Sequence, residues 1–242
     1  MRALLVLTLA AASATAIAQA PPGPRPPRPA TIQVTGQAQV SESPDRVYID
    51  IGVTTQAQKS EAAASQNAAR LSAVIATVKR AAGPAAQLTT AQYSISPNYS
   101  YSHDGGTPTL TGYTATNVIR VRLDDLHLIG KVIDGSAQAG SNNVQDIRFA
   151  LRDEQAPRRE ALREAALNAR QEADALAGAL GLRVVRVRSV EEQSPAVVRP
   201  PIYPEVRQFA RVEAAPSTPV EAGTVDVSAT ITLTVEVAPT AR

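Results

Sequence analysis

The 242-residue sequence contains no cysteine and no tryptophan, and its one methionine is Met1. Without cysteine the chain has no thiolate nucleophile and no disulfide staple. Once a leader carrying Met1 is removed, no sulfur remains, so methionine oxidation is excluded as well. Aromatic residues make up only 3%, which leaves little to stack on nucleic-acid bases. Charge of one sign is also missing: 24 Lys and Arg stand against 22 Asp and Glu, with no clustered basic excess, so no nucleic-acid partner is expected. His103 and His127 are the only histidines. Without cysteine they are too few for a structural zinc site, and no metal or cofactor is expected. Neither "GSAQAGSNN" nor "DGGTPTLTG" has the lysine and spacing of a phosphate-cradling loop. Beyond the opening residues no run approaches the roughly 20 apolar residues of a membrane-spanning helix.

What is present begins with "MRALLVLTLAAASATAIAQA": a basic Arg2, an apolar stretch Ala3–Ala12, and the small-x-small triplet Ala18-Gln19-Ala20. This is the pattern of a secretory signal peptide, with cleavage expected near Ala20. The mature chain is therefore expected to be exported. Residues 21–30, "PPGPRPPRPA", read as an extended proline-rich leader.

Alternation of apolar and polar residues then predicts strands at Ile32–Val40 and Val47–Val53. Over 60–82 the period changes to that of a helix. Ser60 is its expected N-cap, Ala64, Ala68, Leu71, Ile75 and Val78 form its stripe, and Gly83-Pro84 is its stop. Strands at about 87–101 and 111–123 flank the turn signal Asp104-Gly105-Gly106. After a further strand through Ile147, Phe149 and Leu151 comes a long helix. Its expected seam is Leu162, Ala166, Ala169, Ala173, Leu176 and Leu180, with Arg163, Glu164, Arg170 and Glu172 solvated. "LRVVRVRSV" is a strand, 191–223 is a long proline-containing loop, and Val225 to Val237 alternate without a fault. The order ββαββαβαββ, rich in hairpins, predicts an α+β fold of antiparallel sheets with helices packed on one face. The domain is expected over 31–238, as one unit or two subdomains, with 239–242 a tail.

"DDLHLIGKVIDGSAQAG" (124–140) gathers Asp124, Asp125, His127, Asp134 and Ser136, the side-chain types of an acid–base–nucleophile site. As a helix it would bury Leu126, Ile129, Ile133 and Ala137. Ser136 would then lie about 180° from His127 and about 13.5 Å along the axis, and Asp134 about 10.5 Å away. These groups cannot make contacts of about 3 Å with one another. The segment is expected to be a helix with a solvated histidine, and no catalytic residue is expected. Gly140 fits a helix C-terminus. The one unusual surface feature is a concentration of tyrosine: Tyr93, Tyr99, Tyr101 and Tyr113 are four of six, all near one hairpin. Tyr99 and Tyr101 share a strand face, which extends to Tyr93 if register survives Pro97. Packing on the sheet and contact with a partner or another subunit are the two readings of this cluster.

The segments "IQVTGQAQVSESPDRVYIDIGV", "LTTAQYSISPNY", "GYTATNVIRVRLDDLHLIGKVIDGSAQAGSNNVQDIRFALRD", "ALREAALNARQEADALAGALG" and "VEAGTVDVSATITLTVEV" together resemble the SIMPL-domain family over about residues 31–237. The resemblance implies an exported bacterial envelope protein of α+β fold. Similar proteins include a periplasmic antigen that forms large oligomers and a protein linked to oxidative-stress defence. It brings no established catalytic residue. The expected function is non-enzymatic: self-assembly as a homo-oligomer and binding of envelope partners, in envelope or oxidative-stress defence. The rival is a periplasmic small-ligand binder or hydrolase whose site is assembled from distant residues.

Overall fold

The computed structural model describes residues 29–101, 107–193 and 218–240. The expected signal peptide, nearly all of the proline-rich leader, His103 with its Gly-Gly turn, and most of the 191–223 loop lie outside the described residues. The described chain runs β1 (Thr31–Glu42), β2 (Arg46–Ala57), α1 (Ser60–Ala82), β3 (Gln87–Ser100) and β4 (Thr109–Leu123). A 3-10 turn (Leu126–Leu128), α2 (Ile129–Gln138), β5 (Asn143–Ala150), α3 (Gln155–Ala179), β6 (Leu182–Gln193) and β7 (Val225–Pro239) follow. The α+β class and the order ββαββαβαββ hold.

The strands form two antiparallel sheets, a three-stranded one in the order β1-β7-β6 and a four-stranded one in the order β3-β4-β2-β5. In the four-stranded sheet β2 is paired on both sides, and Val47, Ile49, Ile51 and Val53 are fully buried. They pack with Ile119, Val121 and Leu123 of β4 beneath Leu71, Val74 and Val78 of α1 and Ile129, Val132 and Ile133 of α2. Both helices therefore lie on one face of this sheet.

The α1 stripe differs from the expected one by a rotation. Ala63, Asn67, Leu71, Val74, Val78 and Ala82 are buried, Ala68 is exposed, and Ala64 and Ile75 are half-buried. Asn67 is the reason: its Nδ2 donates to the carbonyls of Val53 (2.8 Å) and Ala115 (2.9 Å), so a polar residue sits on the buried seam. Ser60 is not the N-cap. Lys59 is the last extended residue, its carbonyl accepts the Ala63 N–H, and Ser60 is already helical.

The three-stranded sheet packs against α3 by a seam that shares Ala169 and Ala173 with the expected one and departs from it elsewhere, Ala166 being exposed. Pro157, Ala161, Ala165, Ala169, Ala173 and Ala177 face the sheet, whereas Leu176 and Leu180 are exposed and Leu162 is half-buried. The physical reason is closeness. A Cβ on Gly36 of β1 would meet the Ala165 carbonyl oxygen and the Ala169 nitrogen, with the Ala169 Cβ at 2.7 Å. A helix axis this near the sheet accepts methyl groups and rejects leucines. Beneath it the β7 residues Val225 to Val237 are buried at every second position, as their alternation predicts.

Two crossings between the sheets run side by side. In the β1–β2 link the Asp45 carboxylate accepts the Arg152 N–H at 2.7 Å, and the Asp45 N–H donates to the Ala150 carbonyl at 3.3 Å. The β5–α3 crossing is thereby tied to the β1–β2 crossing.

Candidate functional site

The tyrosine hairpin extends the four-stranded sheet past its neighbours. β2 ends at Ala57, opposite Tyr113, while β3 and β4 pair on to Ser100 and Thr109. Register on β3 is unbroken from Gln92 to Asn98, so Pro97 does not disturb it, and the irregularity near the tip falls in β4 between Leu110 and Gly112. An edge strand is where proline is tolerated. Strand alternation therefore places Tyr93, Ile95, Pro97 and Tyr99 on one face, with Tyr113 directly opposite Pro97 and Leu110 opposite Tyr99. This is the face that α1 covers further down, where Asn67 reaches the Ala115 carbonyl. Toward the tip Tyr93 is 56% exposed, Tyr99 50% and Tyr101 72%; Ile95 and Leu110 are exposed too, and only Tyr113 is half-buried. The four tyrosines are thus brought to one hairpin, three of them open to solvent.

The residues of the 124–140 segment are dispersed into separate structural tasks. Asp125 caps the 3-10 turn by accepting the His127 backbone N–H at 3.0 Å. The segment is thus a 3-10 turn followed by a shorter helix, with Ile129, Val132, Ile133 and Ser136 buried, Leu126 half-buried and Ala137 exposed. Ser136 is fully buried and donates to the Ile133 carbonyl at 2.7 Å. Asp134 accepts the Thr218 hydroxyl at 2.6 Å. His127 is exposed at the rim of an open pocket of about 520 Å³, whose other walls are Asp124, Asp125, Leu126, Ile129, Val220, Glu221 and Ala222. None of these wall residues is a hydroxyl or amine nucleophile. Among the described residues no cluster of three or more His, Asp or Glu is arranged to hold a metal ion.

Asp124 belongs to a different constellation, on the sheet face away from α1 and α2. Its carboxylate accepts Arg46 through Nε at 2.7 Å and a terminal nitrogen at 3.2 Å. Arg152 and Arg122 stand further off, at 3.7 and 3.9 Å. The Arg46 hydrogen bond, with the positive charge of all three arginines, holds the Asp124 carboxyl below the usual aspartate range despite its partial burial. Two same-face register rows on, past Tyr48 and Arg122, Asp50 accepts Arg120 at 2.7 and 2.6 Å, and this raises the Arg120 pKa further. Sequence reasoning missed this lattice. Its signal was the arginine alternation in "NVIRVRLDD" opposite "RVYID".

The family model of SIMPL, described as protein of unknown function (DUF541), matches residues 32–235. The chain is 32% identical over 176 residues to the 26 kDa periplasmic immunogenic protein of Brucella melitensis, covering 72% of this chain and 69% of that one. It is 26% identical over 159 residues to the uncharacterized protein YggE of Escherichia coli K12, covering 66% and 64%. Among the described residues no helix is long and apolar enough to cross a membrane. The family model spans most of the chain and the Brucella relative covers more than two thirds of it: the chain belongs to the SIMPL family.

Proposed function

We propose that this is an exported periplasmic protein without catalytic chemistry, which works by assembling with copies of itself and by binding envelope partners through the β3–β4 hairpin. The observation that carries this reading is the exposed aromatic face of Tyr93 and Tyr99 on a sheet edge, with Tyr101 exposed just past the end of β3. Contiguous exposed apolar surface is uncommon on monomers and is typical of contact sites. Tyrosine also contributes disproportionately to interfaces, because it buries a large area with few rotatable bonds. β3 adds a second means of contact, since among the described residues its outer backbone row has no paired strand and can accept another. The signal-peptide pattern and the periplasmic relative support the location. A part in envelope or oxidative-stress defence follows the family resemblance; with no sulfur in the mature chain, it would not run through a thiol or thioether of this protein.

The test is the size of the mature protein by light scattering, before and after Tyr99→Ser with Tyr101→Ser. Smaller particles with unchanged circular dichroism are expected. Unchanged particle size would assign the rings to the monomer's own surface and refute the proposal.

A further inference from the structure

On the helix-free face of the four-stranded sheet, two cross-strand rows lie next to each other. Directly opposed residues point to the same side. The first row is therefore Gln87–Arg122–Tyr48–Arg148 and the second Thr89–Arg120–Asp50–Asp146. With Arg46, Asp124 and Arg152 at the margin, the patch holds five arginines and three aspartates. Two of the arginines are fully engaged: Arg46 by Asp124 and Arg120 by Asp50. Arg122 and Arg148 are not. Arg122 comes no nearer than 3.9 Å to Asp124, beyond hydrogen-bond reach, and Arg148 forms no ion pair among the described residues. Arg148 lies over the Tyr48 ring, its guanidinium carbon 5.2 Å from the ring centre, which is a cation–π contact.

The Nε–H groups of Arg122 and Arg148 are both shielded from solvent and have no acceptor among the described residues. Arg158 of α3 also has a shielded Nε–H without an acceptor, but its terminal nitrogen is held by Glu192 at 2.8 Å; among the described residues Arg122 and Arg148 have no carboxylate within hydrogen-bond reach. A shielded donor without an acceptor is costly, more so when it is charged. Strand spacing of about 4.8 Å puts the two Cα atoms roughly 10 Å apart across Tyr48, within the combined reach of two arginine side chains. Five positive charges against three negative ones leave an excess of two.

We propose that Arg122 and Arg148, with Tyr48 between them, form a binding site for a phosphate monoester group. The charge selects the ligand. A phosphate monoester carries close to two negative charges at neutral pH and offers three acceptor oxygens, enough for two guanidinium forks. A carboxylate would neutralise only half of the excess. The phosphate can belong to a soluble molecule or to a lipid headgroup. The site lies on the opposite sheet face from the tyrosines, so it does not depend on the assembly reading.

The experiment uses the mature protein with inorganic phosphate as probe, against chloride at equal ionic strength. Saturable binding by titration calorimetry is expected, with shifts of two arginine Nε–H resonances in the NMR spectrum. Arg122→Gln with Arg148→Gln is expected to weaken binding by about tenfold or more, a charge-assisted bidentate contact being lost. Arg170→Gln, on the outer face of α3, should leave it unchanged. Arg148→Lys keeps the charge and loses the fork, and is expected to fall between the two. If the double variant does not fold, Arg148→Lys and the wild-type Nε–H shifts decide the matter. Co-sedimentation with vesicles containing phosphatidic acid, against phosphatidylglycerol, separates the sources. Variant-sensitive retention on the former points to a lipid, and variant-sensitive binding of free phosphate alone to a soluble ligand; either upholds the site. Binding to neither probe overturns it, as does binding that the arginine substitutions leave intact.

Discussion

Gly36→Ala is a one-carbon change whose effect can be worked from the close approach of α3 to β1. The new methyl group would meet the Ala165 carbonyl oxygen and the Ala169 nitrogen, both backbone atoms, with the Ala169 Cβ at 2.7 Å. No rotamer change can relieve such contacts, so α3 must lift or slide along its alanine stripe. Overpacking of this kind costs about 1–3 kcal/mol. Stiffening of the unfolded chain returns about 0.4–1 kcal/mol. The difference spans from near zero to about 2.6 kcal/mol; because the clashes are with backbone atoms the upper part, about 1–2.6 kcal/mol, is expected, and at roughly 2–4 °C per kcal/mol for a chain of this size the melting temperature falls by about 2–10 °C. Gly178→Ala is the matched control. It lies in the same helix with nothing within 4 Å of an added Cβ, so it should gain about 0.5–1 kcal/mol from helix propensity. Thermal melts followed by far-ultraviolet circular dichroism measure both. A Gly36→Ala protein melting at or above the wild type would refute the close-packing argument.

Three further outcomes are expected. Asp124→Asn should cost about 1–2 kcal/mol at pH 7, because it leaves Arg46 with a neutral acceptor on a partly buried site. Since the Asp124 pKa is depressed on folding, that contribution is present above the ordinary aspartate range and disappears as pH falls through the depressed value; melts over a falling pH series should show the gap between variant and wild type narrowing. Ile133→Asp should prevent folding by placing an unpaired charge in the core, whereas His127→Ala should shift stability by no more than about 0.5 kcal/mol; a folded Ile133→Asp protein by circular dichroism would mean that the buried face of α2 is misassigned. Intact-mass measurement of the exported protein should show cleavage near Ala20; retention of Met1 would remove the signal-peptide reading.

Legibility in the sequence followed the kind of residue that carries each signal. β7 was plain because Val225 through Val237 repeat every second position and all face the core. Helix α1 was plain in extent, yet its face was misjudged because Asn67, a polar residue, is buried to hold two sheet carbonyls. On α3 hydrophobicity misled outright. Leucine is the more apolar residue, but Gly36 brings the helix so near that only the alanines fit, a fact written in another element. The tyrosine cluster was visible as composition, and its common face required knowing that Pro97 keeps register. Of the Arg122–Tyr48–Arg148 row only the arginine alternation within β4 was legible; its assembly across three strands rests on pairings that no local pattern encodes.

The pairing of β1 with β7 has a consequence for how the molecule comes into being. All four strands of the larger sheet, with α1 and α2, come from the continuous segment 46–150. That sheet is complete as soon as this segment has been made. β1 is synthesised before it, yet its partner runs from Val225 to Pro239, close to the other end of the chain. In an exported chain that emerges N-terminus first, β1 waits with Ile32 and Val34 uncovered until nearly 200 further residues have followed it, about the span from Glu42 to Pro239. When β7 arrives it supplies the middle of the smaller sheet, pairing with β1 on one side and β6 on the other, and gives α3 its floor. The smaller sheet therefore closes in one late step of long loop closure, and a chain cut before Val225 keeps the parts of one sheet while losing the centre of the other.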